Sequence, residues 1–187
     1  TGAIRDEALA RLGEARGLEP FLGKLDKAAE AEFLSGDEHS RAWDAFFFFR
    51  HGARFDDHHA ACPRTSAALG DVPLTRIRAH APEVLYSVLA PRSHITPHHG
   101  VTNTRVVTHL PLVVPEGDCA LVVGGDTHRW RQGRCITFDD SMLHEAWNRS
   151  GKVRVVMILD SWHPDLTQAE RDAIALLVGR IGDFNRA

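Results

Sequence analysis

The apolar residues near the N-terminus recur at a spacing that predicts helices. Ile4, Leu9 and Leu12 fall near one helical face, and a second stretch of mixed polar and apolar residues runs from about Leu25 to Leu34. Apolar positions three or four residues apart are typical of an amphipathic helix, which packs its apolar face against other elements. We therefore predict a helical flank over about residues 1–50, packed outside a sheet.

From Val84 onward the pattern changes to short runs of β-branched and apolar residues that are interrupted by proline and glycine. Such runs are typical of strands at close spacing. The predicted strands are Val84–Leu89, Val106–Val114, Ala120–Val123, Arg134–Phe138 and Val153–Asp160. Together they predict an all-β core over about residues 84–163.

The pattern returns to helix near the C-terminus. Thr167 and Glu170 have the spacing of a capping box, in which each side chain bonds to the other residue's backbone N–H group. The apolar residues that follow are spaced as i, i+3, i+4 and i+7, at Ile174, Leu177, Val178 and Ile181. We predict a C-terminal helix over about residues 167–181 that packs against the sheet.

Helices, then many short strands, then a final helix predict a mainly β fold. A chain of 187 residues with 43% hydrophobic composition can bury one substantial core but is too short for two comfortable domains. Residues 1–187 are therefore expected to form a single domain, a β-sandwich or small barrel with helical flanks. The aromatic run Phe46–Phe49 is interpreted as core packing.

Composition and charge argue against several classes of function. The net charge of −3 and the dispersed arginines offer no basic surface for a phosphate backbone, so nucleic acid is not an expected partner. No apolar run approaches the roughly 20 residues that span a bilayer, and no secretory pattern opens the chain, so we expect a cytoplasmic protein without a membrane partner. The three cysteines lack a C-x-x-C pair, which indicates neither a disulfide framework nor a zinc site.

Two histidines at strand ends carry the strongest chemical signal. His98 lies between Pro97 and Gly100, and His144 follows a turn-like Asp-Asp-Ser segment. A β-barrel builds a metal site by bringing imidazoles from separate strands to one point, and imidazole suits Fe(II). The usual iron triad has a carboxylate two residues after the first histidine, where this chain has Gly100. Each histidine alone is interpreted more simply as a hydrogen-bonded residue, and His99 should point the opposite way along the strand.

Arg154 has apolar neighbours on either face of its predicted strand. A buried guanidinium needs an anion, and it matches a carboxylate through two parallel hydrogen bonds. The partner is either a ligand carboxylate or an internal Asp or Glu, unless the side chain lies at an edge facing water. His109 shares a strand face with Val107 and is expected to point inward. Ser87 is either a strand hydroxyl with a backbone partner or a ligand contact.

A second cluster of metal-ligating residue types lies at Asp56, Asp57, His58 and His59. The segment is loop-like, and composition alone is a weak indication of a metal site. We interpret these four residues as a solvated loop.

Several sequence segments occur together in one order over about residues 50–175. They are Pro63–Thr65, Ser93–Arg105, His109–Pro115, Trp130–Gly133, Phe138–Ser141 with His144, Arg154, and Asp160–Pro164. In these residues the chain resembles the aspartyl/asparaginyl β-hydroxylase family, iron- and 2-oxoglutarate-dependent oxygenases with a double-stranded β-helix core of jelly-roll or cupin-like form. The resemblance implies that this chain has the same double-stranded β-helix core, with flanking N- and C-terminal helices. The family binds iron through two histidines without a carboxylate, which agrees with Gly100.

The resemblance also implies roles for individual residues. His98 and His144 would be the iron ligands, and Arg154 would pair with the distal carboxylate of 2-oxoglutarate. Ser87 and His109 would also contact that co-substrate.

Two further arginines would meet the substrate. The resemblance implies that Arg105 binds the substrate carboxylate and that Arg54 makes another substrate contact. Where better-known members have a second basic residue two positions after Arg105, this chain has Val107, so ligand contacts there must differ.

The implied activity is that of an Fe(II)- and 2-oxoglutarate-dependent dioxygenase that uses O₂, forms succinate and CO₂, and hydroxylates an aspartyl- or asparaginyl-type residue. The substrate would be a free amino acid, a carrier-bound amino acid or a peptide. An Asp-like acceptor is expected because Arg105 offers one cation to the substrate and Arg154 offers one to 2-oxoglutarate. A related iron enzyme that halogenates or otherwise oxidises a small metabolite is one alternative, since a missing carboxylate can leave a position for chloride. A non-catalytic β-barrel that binds an anion or metal is another.

Overall fold

The computed structural model describes residues 1–24, 27–36 and 42–184. The helices are α1 (Gly2–Glu14), α2 (Lys27–Phe33), α3 (Asp56–Ala61), α4 (Pro63–Leu69) and α5 (Gln168–Phe184). The strands are β1 (Glu19–Pro20), β2 (Leu34–Gly36), β3 (Trp43–Arg50), β4 (Ala53–Arg54), β5 (Val84–Leu89), β6 (Ser93–His98), β7 (Arg105–Val113), β8 (Cys119–Val123), β9 (Asp126–His128), β10 (Ile136–Phe138), β11 (His144–Asn148) and β12 (Arg154–Trp162).

Strands that are distant in sequence are neighbours in both sheets. The seven-stranded sheet has the order β1-β3-β5-β12-β7-β10, with β4 paired to β3, and the five-stranded sheet has the order β2-β6-β11-β8-β9. The pairings that build both sheets are antiparallel. Two antiparallel sheets connected by such crossovers form the predicted jelly-roll core, and helices lie at both ends of the chain.

The larger sheet has an apolar layer on each face. Along β12, Val155 and Met157 pack on the outer face in a cluster that includes Ala8 of α1. Val156 and Ile158 pack on the inner face with residues of the smaller sheet. Because side chains alternate along a strand, Arg154 shares the inner face with Val156 and Ile158, as its position in the sequence predicts.

The prediction of helix over residues 1–50 is wrong at Trp43–Arg50, which form β3. The strand is buried along almost its whole length, with Phe46 and Phe48 in the outer apolar cluster and Phe47 in an inner one. A continuous apolar run carries no periodicity that separates a buried strand from a helix, and aromatic residues favour strands. The predicted stretch from Leu25 begins outside the described residues, which show helix α2 followed by β2.

Residues 56–61 form helix α3 rather than the predicted solvated loop. His58 stacks on Phe46 with ring centroids 4.0 Å apart, and its Nδ1 lies 2.6 Å from the carbonyl oxygen of Phe47. His59 is buried and bonds to Ser66 through Nδ1 at 2.8 Å. His59 also lies edge-on to Phe48 with ring centroids 5.3 Å apart, so both histidines pack α3 against the aromatic strand β3.

The C-terminal helix begins at the predicted capping box. Thr167 donates its backbone N–H to Glu170 Oε2 at 2.7 Å, and the Glu170 N–H reaches Thr167 Oγ1 at 3.3 Å. The predicted apolar face does not pack against the sheet as expected, because Leu177 and Ile181 are 61% and 51% exposed. Across the described residues, α5 and the shorter helices lack the length and hydrophobicity of a membrane span.

Candidate active site

A cavity of about 240 Å³ lies between the two sheets. Six of the predicted site residues line it: Ser87, His98, Arg105, His109, His144 and Arg154. They come from five different strands, β5, β6, β7, β11 and β12. The jelly-roll crossovers therefore bring residues separated by up to 67 positions to one space.

The two predicted iron ligands lie side by side in the smaller sheet. The register of β6 and β11 pairs His98 directly with His144, next to an irregularity in the strand pairing. Their ring centroids are 4.1 Å apart. Because directly paired residues project from the same face of a sheet, both imidazoles point into the cavity.

Backbone carbonyl groups orient both imidazole rings. His98 Nδ1 donates to the carbonyl oxygen of Thr96 at 2.8 Å, and His144 Nδ1 donates to that of Met142 at 2.9 Å. A carbonyl only accepts, so the proton of each neutral ring lies on Nδ1 and the Nε2 lone pair remains free for a metal. Burial lowers the pKa of His98, which keeps this imidazole neutral as metal binding requires.

Position 100, next to these histidines, has no room for a side chain, because Asp140 occupies the space beside Gly100. A Cβ atom at position 100 would clash with the carboxylate of Asp140, and the Gly100 N–H donates to the Asp140 carbonyl oxygen at 2.7 Å. In the part of the chain that the structure describes, no three His, Cys, Asp or Glu residues form a metal-binding group. Two imidazole ligands without a carboxylate would suit Fe(II) that also binds a chelating co-substrate.

Replacing Gly100 by Ala is expected to destabilise the protein and disturb the site, because the new methyl group must displace Asp140. Overpacking of this kind costs about 1–3 kcal/mol, or a fall in melting temperature of roughly 2–12 °C for a chain of this size. Thermal unfolding measures the effect. Gly151→Ala is the matched control, since a Cβ there meets nothing within 4 Å. Equal melting temperatures for the two variants would contradict the expected clash.

Arg154 is a buried cation without an acidic partner among the described residues. Its residue surface is 1% exposed, and its Nη1 lies 3.3 Å from Ser87 Oγ and 3.4 Å from the Ser87 carbonyl oxygen. The ring of Trp130 lies 4.8 Å from its guanidinium carbon. Burial lowers the pKa of Arg154 to about 10, so the group is still charged at neutral pH. Of the alternatives that the sequence left open, an internal Asp or Glu partner is not found among the described residues, and a ligand anion would satisfy this charge.

Ser87 and His109 surround this guanidinium with further polar groups. Trp43 Nε1 donates to Ser87 Oγ at 2.9 Å, which orients the hydroxyl. His109 is 7% exposed, and its buried Nδ1 has no hydrogen-bond partner in the described part of the chain. Burial, with a contribution from Arg154, lowers the pKa of His109 to about 3. A neutral imidazole with a free nitrogen beside a buried cation is suited to contact a bound anion.

Burial of a neutral His109 is expected to make the protein sensitive to acid. Its pKa is about 3 when folded and 6.5 as a free group, so only the unfolded chain gains this proton as the pH falls below 6.5. The stabilisation is complete above pH 6.5, and about 2 kcal/mol is lost by pH 5. Urea unfolding at pH 7 and pH 5 should show a smaller loss for His109→Gln than for the wild type. An unchanged pH dependence would contradict this role.

Arg105 is already paired with two carboxylates. Its Nη1 lies 2.5 Å from Asp160 Oδ2, and its Nη2 lies 3.4 Å from Asp140 Oδ2. The contact of Arg105 with a substrate carboxylate, which the resemblance implies, stays a prediction. Glu83 also lines the cavity, and these three acidic residues were missed by sequence reasoning. Asp160 could have been found, because it lies six positions after Arg154 and thus on the same strand face.

The structure does not bring Arg54 to the cavity. Arg54 ends the short strand β4, is exposed, and forms an ion pair with Asp56 at the start of α3. It is not among the described residues that line the cavity. Its substrate contact followed only from the resemblance, and the geometry gives that prediction no support.

Comparisons with known proteins identify relatives over most of the chain. The family model described as aspartyl/asparaginyl beta-hydroxylase matches residues 1–164. Human aspartyl/asparaginyl beta-hydroxylase is 33% identical over 174 residues, which are 91% of this chain and 21% of that protein. Human aspartate beta-hydroxylase domain-containing protein 2 is 39% identical over 138 residues, covering 72% of this chain and 37% of that protein. Ornithine lipid ester-linked acyl 2-hydroxylase of Rhizobium tropici is 34% identical over 125 residues, covering 65% and 42%.

Among solved structures, the Cupin_2 domain of an XRE family transcriptional regulator from Enterobacter cloacae matches with a TM-score of 0.43 at 10% identity, covering 65% of this chain and 98% of that one. The chain spans less than half the length of the three curated relatives named above. The family model nevertheless covers both histidines, Arg154 and nearly the whole jelly-roll core. This chain belongs to the aspartyl/asparaginyl β-hydroxylase family.

Proposed function

We propose that this chain is an Fe(II)- and 2-oxoglutarate-dependent oxygenase that hydroxylates a carbon of a small amino acid, a carrier-bound amino acid or a peptide. The observation that carries the proposal is the buried guanidinium of Arg154, which has no carboxylate partner in the described part of the chain. It lies in the same cavity as two imidazoles whose Nδ1 atoms are bonded to backbone carbonyl groups. A cation that needs an anion, next to a two-nitrogen metal site, suits a co-substrate that chelates iron at one end and carries a carboxylate at the other.

The proposed division of roles follows the contacts of each residue. His98 and His144 would hold the iron through Nε2, and their Nδ1 bonds to backbone carbonyl groups would keep the rings in place. Arg154 would receive the distal carboxylate of 2-oxoglutarate, with Ser87 and His109 as additional hydrogen-bond partners. When bound, iron with 2-oxoglutarate and O₂ supplies the oxidising power for C–H hydroxylation and yields succinate and CO₂.

The remaining task of the protein is to position the acceptor and to exclude water. Leu85, Val107 and Ile158 contribute apolar surface to the cavity, between two sheets whose inner faces are otherwise packed. A dry cavity protects a strong oxidant from side reactions, and fixed walls hold the reacting carbon near the metal. These residues would act by shape rather than by proton transfer.

The site argues against halogenation as the chemistry. A chloride ligand would need the coordination position that the missing carboxylate leaves, next to Gly100. The carboxylate of Asp140 occupies the space beside this residue, and its negative charge would repel a chloride ion. Hydroxylated product without chlorinated product in chloride buffer is therefore expected.

The names of the relatives support hydroxylation and leave the acceptor open. One relative is named for aspartyl and asparaginyl residues, and another for the ester-linked acyl group of an ornithine lipid. Acceptors of such different polarity within one family must be distinguished by residues outside the metal and co-substrate positions. The acceptor of this chain therefore has to be inferred from its own cavity.

Succinate formation tests the proposal. Anaerobically purified protein is given Fe(II), 2-oxoglutarate and O₂ with a panel of free amino acids, amines and short peptides. Acceptor-stimulated succinate would support an oxygenase. A non-catalytic barrel would instead bind Fe(II) and 2-oxoglutarate, adding about 2.7 kcal/mol of stability at 100 times the dissociation constant, without forming succinate. Absence of both binding and succinate would remove the proposed site.

A further inference from the structure

The strands that carry the paired histidines are out of step by one residue. His144 of β11 pairs with His98 of β6, whereas Ala146, two positions further along β11, pairs with Ile95, three positions back along β6. Between these two pairs β6 therefore holds one residue more than β11, which is a β-bulge. Pro97 lies within this stretch, and proline is typical of bulges because it has no N–H to donate to the partner strand.

The bulge decides the direction in which His98 points. Side chains alternate along a regular strand, so residues three positions apart project from opposite faces. Ile95 and His98 nevertheless both line the cavity between the sheets. Without the extra residue in β6, the side chain of His98 would project from the outer face of the smaller sheet, away from His144. The pairing of the two imidazoles therefore depends on this irregularity.

Contacts on both sides of the bulge hold β6 in the observed register. Thr96 donates its hydroxyl to the carbonyl oxygen of Glu32 in α2 at 2.7 Å, and the Gly100 N–H donates to the carbonyl oxygen of Asp140 at 2.7 Å. Such contacts matter because a slip of one residue would turn the following side chains of the strand to the other face. The histidine site is thus stable only while the register of β6 is fixed.

A side-chain bond on the outer face of the sheet crosses from β11 to β6 at this point. Glu145 lies between His144 and Ala146, which both line the cavity, so its side chain points outward. His94 Nε2 donates to Glu145 Oε2 at 2.6 Å, and the two side chains are 31% and 26% exposed. His94 belongs to the regular part of β6, where it pairs with Trp147. The bond therefore ties the residue opposite the bulge to the regularly paired strand, and a carboxylate acceptor makes it a strong bond.

We propose that Glu145 is a positioning residue of the metal site: its bond to His94 fixes the bulge in β6 and so keeps His98 opposite His144. The inference rests on the proposed function, because it needs the two histidines to bind a metal. Glu145 is not among the described residues that line the cavity, so it acts through the strand pairing and touches neither metal nor co-substrate. Removing the bond should therefore weaken metal binding although both imidazoles remain in the chain.

Titration with Co(II) tests this role, because the visible absorption of the bound ion reports the arrangement of its ligands. Glu145→Ala is expected to weaken Co(II) binding at least about tenfold, as for other groups that orient metal ligands, and to change the visible spectrum. Glu145→Gln should keep most of the affinity, since its amide oxygen can still accept from His94. His94→Ala removes the donor and should show the same loss as Glu145→Ala, and the double variant should lose no more than either single variant.

The matched control is Glu19→Ala, which removes an ion pair with Arg50 at 3.0 Å that joins neighbouring strands of the larger sheet. It should keep the Co(II) affinity and spectrum of the wild type. The inference is overturned if Glu145→Ala and His94→Ala bind Co(II) as the wild type does, including the case in which they only lower the melting temperature. His94→Ala serves alone if Glu145→Ala does not fold. Absence of Co(II) and Fe(II) binding in the wild type would instead overturn the proposed function.

Discussion

Replacing His98 by Ala is expected to abolish iron binding and to lower succinate formation by at least about 1,000-fold, which corresponds to about 4 kcal/mol of lost transition-state stabilisation. The described site offers two imidazoles and no third protein ligand, so the loss of one leaves a single nitrogen. The metal content of anaerobically loaded protein and the rate of succinate formation measure the two effects. His144→Ala should behave in the same way, because the two rings are paired in register.

The control for these variants is His128→Ala, which removes an exposed imidazole from β9. It should keep both the iron content and the rate of the wild type. If His98→Ala still bound one equivalent of iron and formed succinate at the wild-type rate, the metal site assigned to the paired histidines would be wrong. A similar loss in His128→Ala would indicate a general effect of histidine removal.

Replacing Arg154 by Leu is expected to weaken 2-oxoglutarate binding by at least about 100-fold while it raises the stability of the ligand-free protein. The guanidinium is buried without a carboxylate partner in the described residues, so its removal takes away an uncompensated charge. Replacing a buried ion pair by well-packed apolar residues is often neutral or stabilising by about 1–4 kcal/mol, and a lone buried guanidinium does not even have the attraction of a partner charge to lose. The bound co-substrate, in contrast, loses a charge-assisted bidentate contact.

A residue that serves ligand binding rather than folding is expected to show opposite changes when it is replaced: a higher free energy of unfolding and a lower ligand affinity. Urea unfolding without ligands measures the first change, and anaerobic titration with 2-oxoglutarate measures the second, while the iron content should not change. Arg134→Leu, at an exposed position, is the control for removing an arginine. A destabilised Arg154→Leu variant with unaltered 2-oxoglutarate affinity would instead indicate a structural role for the guanidinium.

The spacing of the candidate residues could be interpreted from the sequence because strands have a simple period. Arg154 was placed on one strand face with Val156 and Ile158, and His109 was expected to point inward, as the structure has both. The two histidines were expected at strand ends that meet, and β6 and β11 pair them directly. These features depend on alternation along single strands and on the order of the strands in a jelly roll.

Hydrophobic periodicity gave wrong predictions for a continuous apolar run and for apolar positions on the surface of a helix. Trp43–Arg50 form a strand because both of its faces are covered, which no local pattern reports. The apolar positions Leu177 and Ile181 repeat at helical spacing and yet remain exposed on α5. Periodicity identifies the kind of element in such cases, but the element's neighbours decide which side chains are buried.

The sequence by itself determined the mainly β fold, the family resemblance and the pair of histidines with a distant arginine, because these depend on local periods and on the order of motifs along the chain. Only the tertiary structure decided the partners of the buried charges. It gave Arg154 no carboxylate partner among residues 1–24, 27–36 and 42–184, and it tied Arg105 to Asp140 and Asp160 across 35 and 55 residues of chain. The physical reason is that a charge is satisfied by whatever group lies within a few ångströms in space, and strand crossovers decide which groups those are.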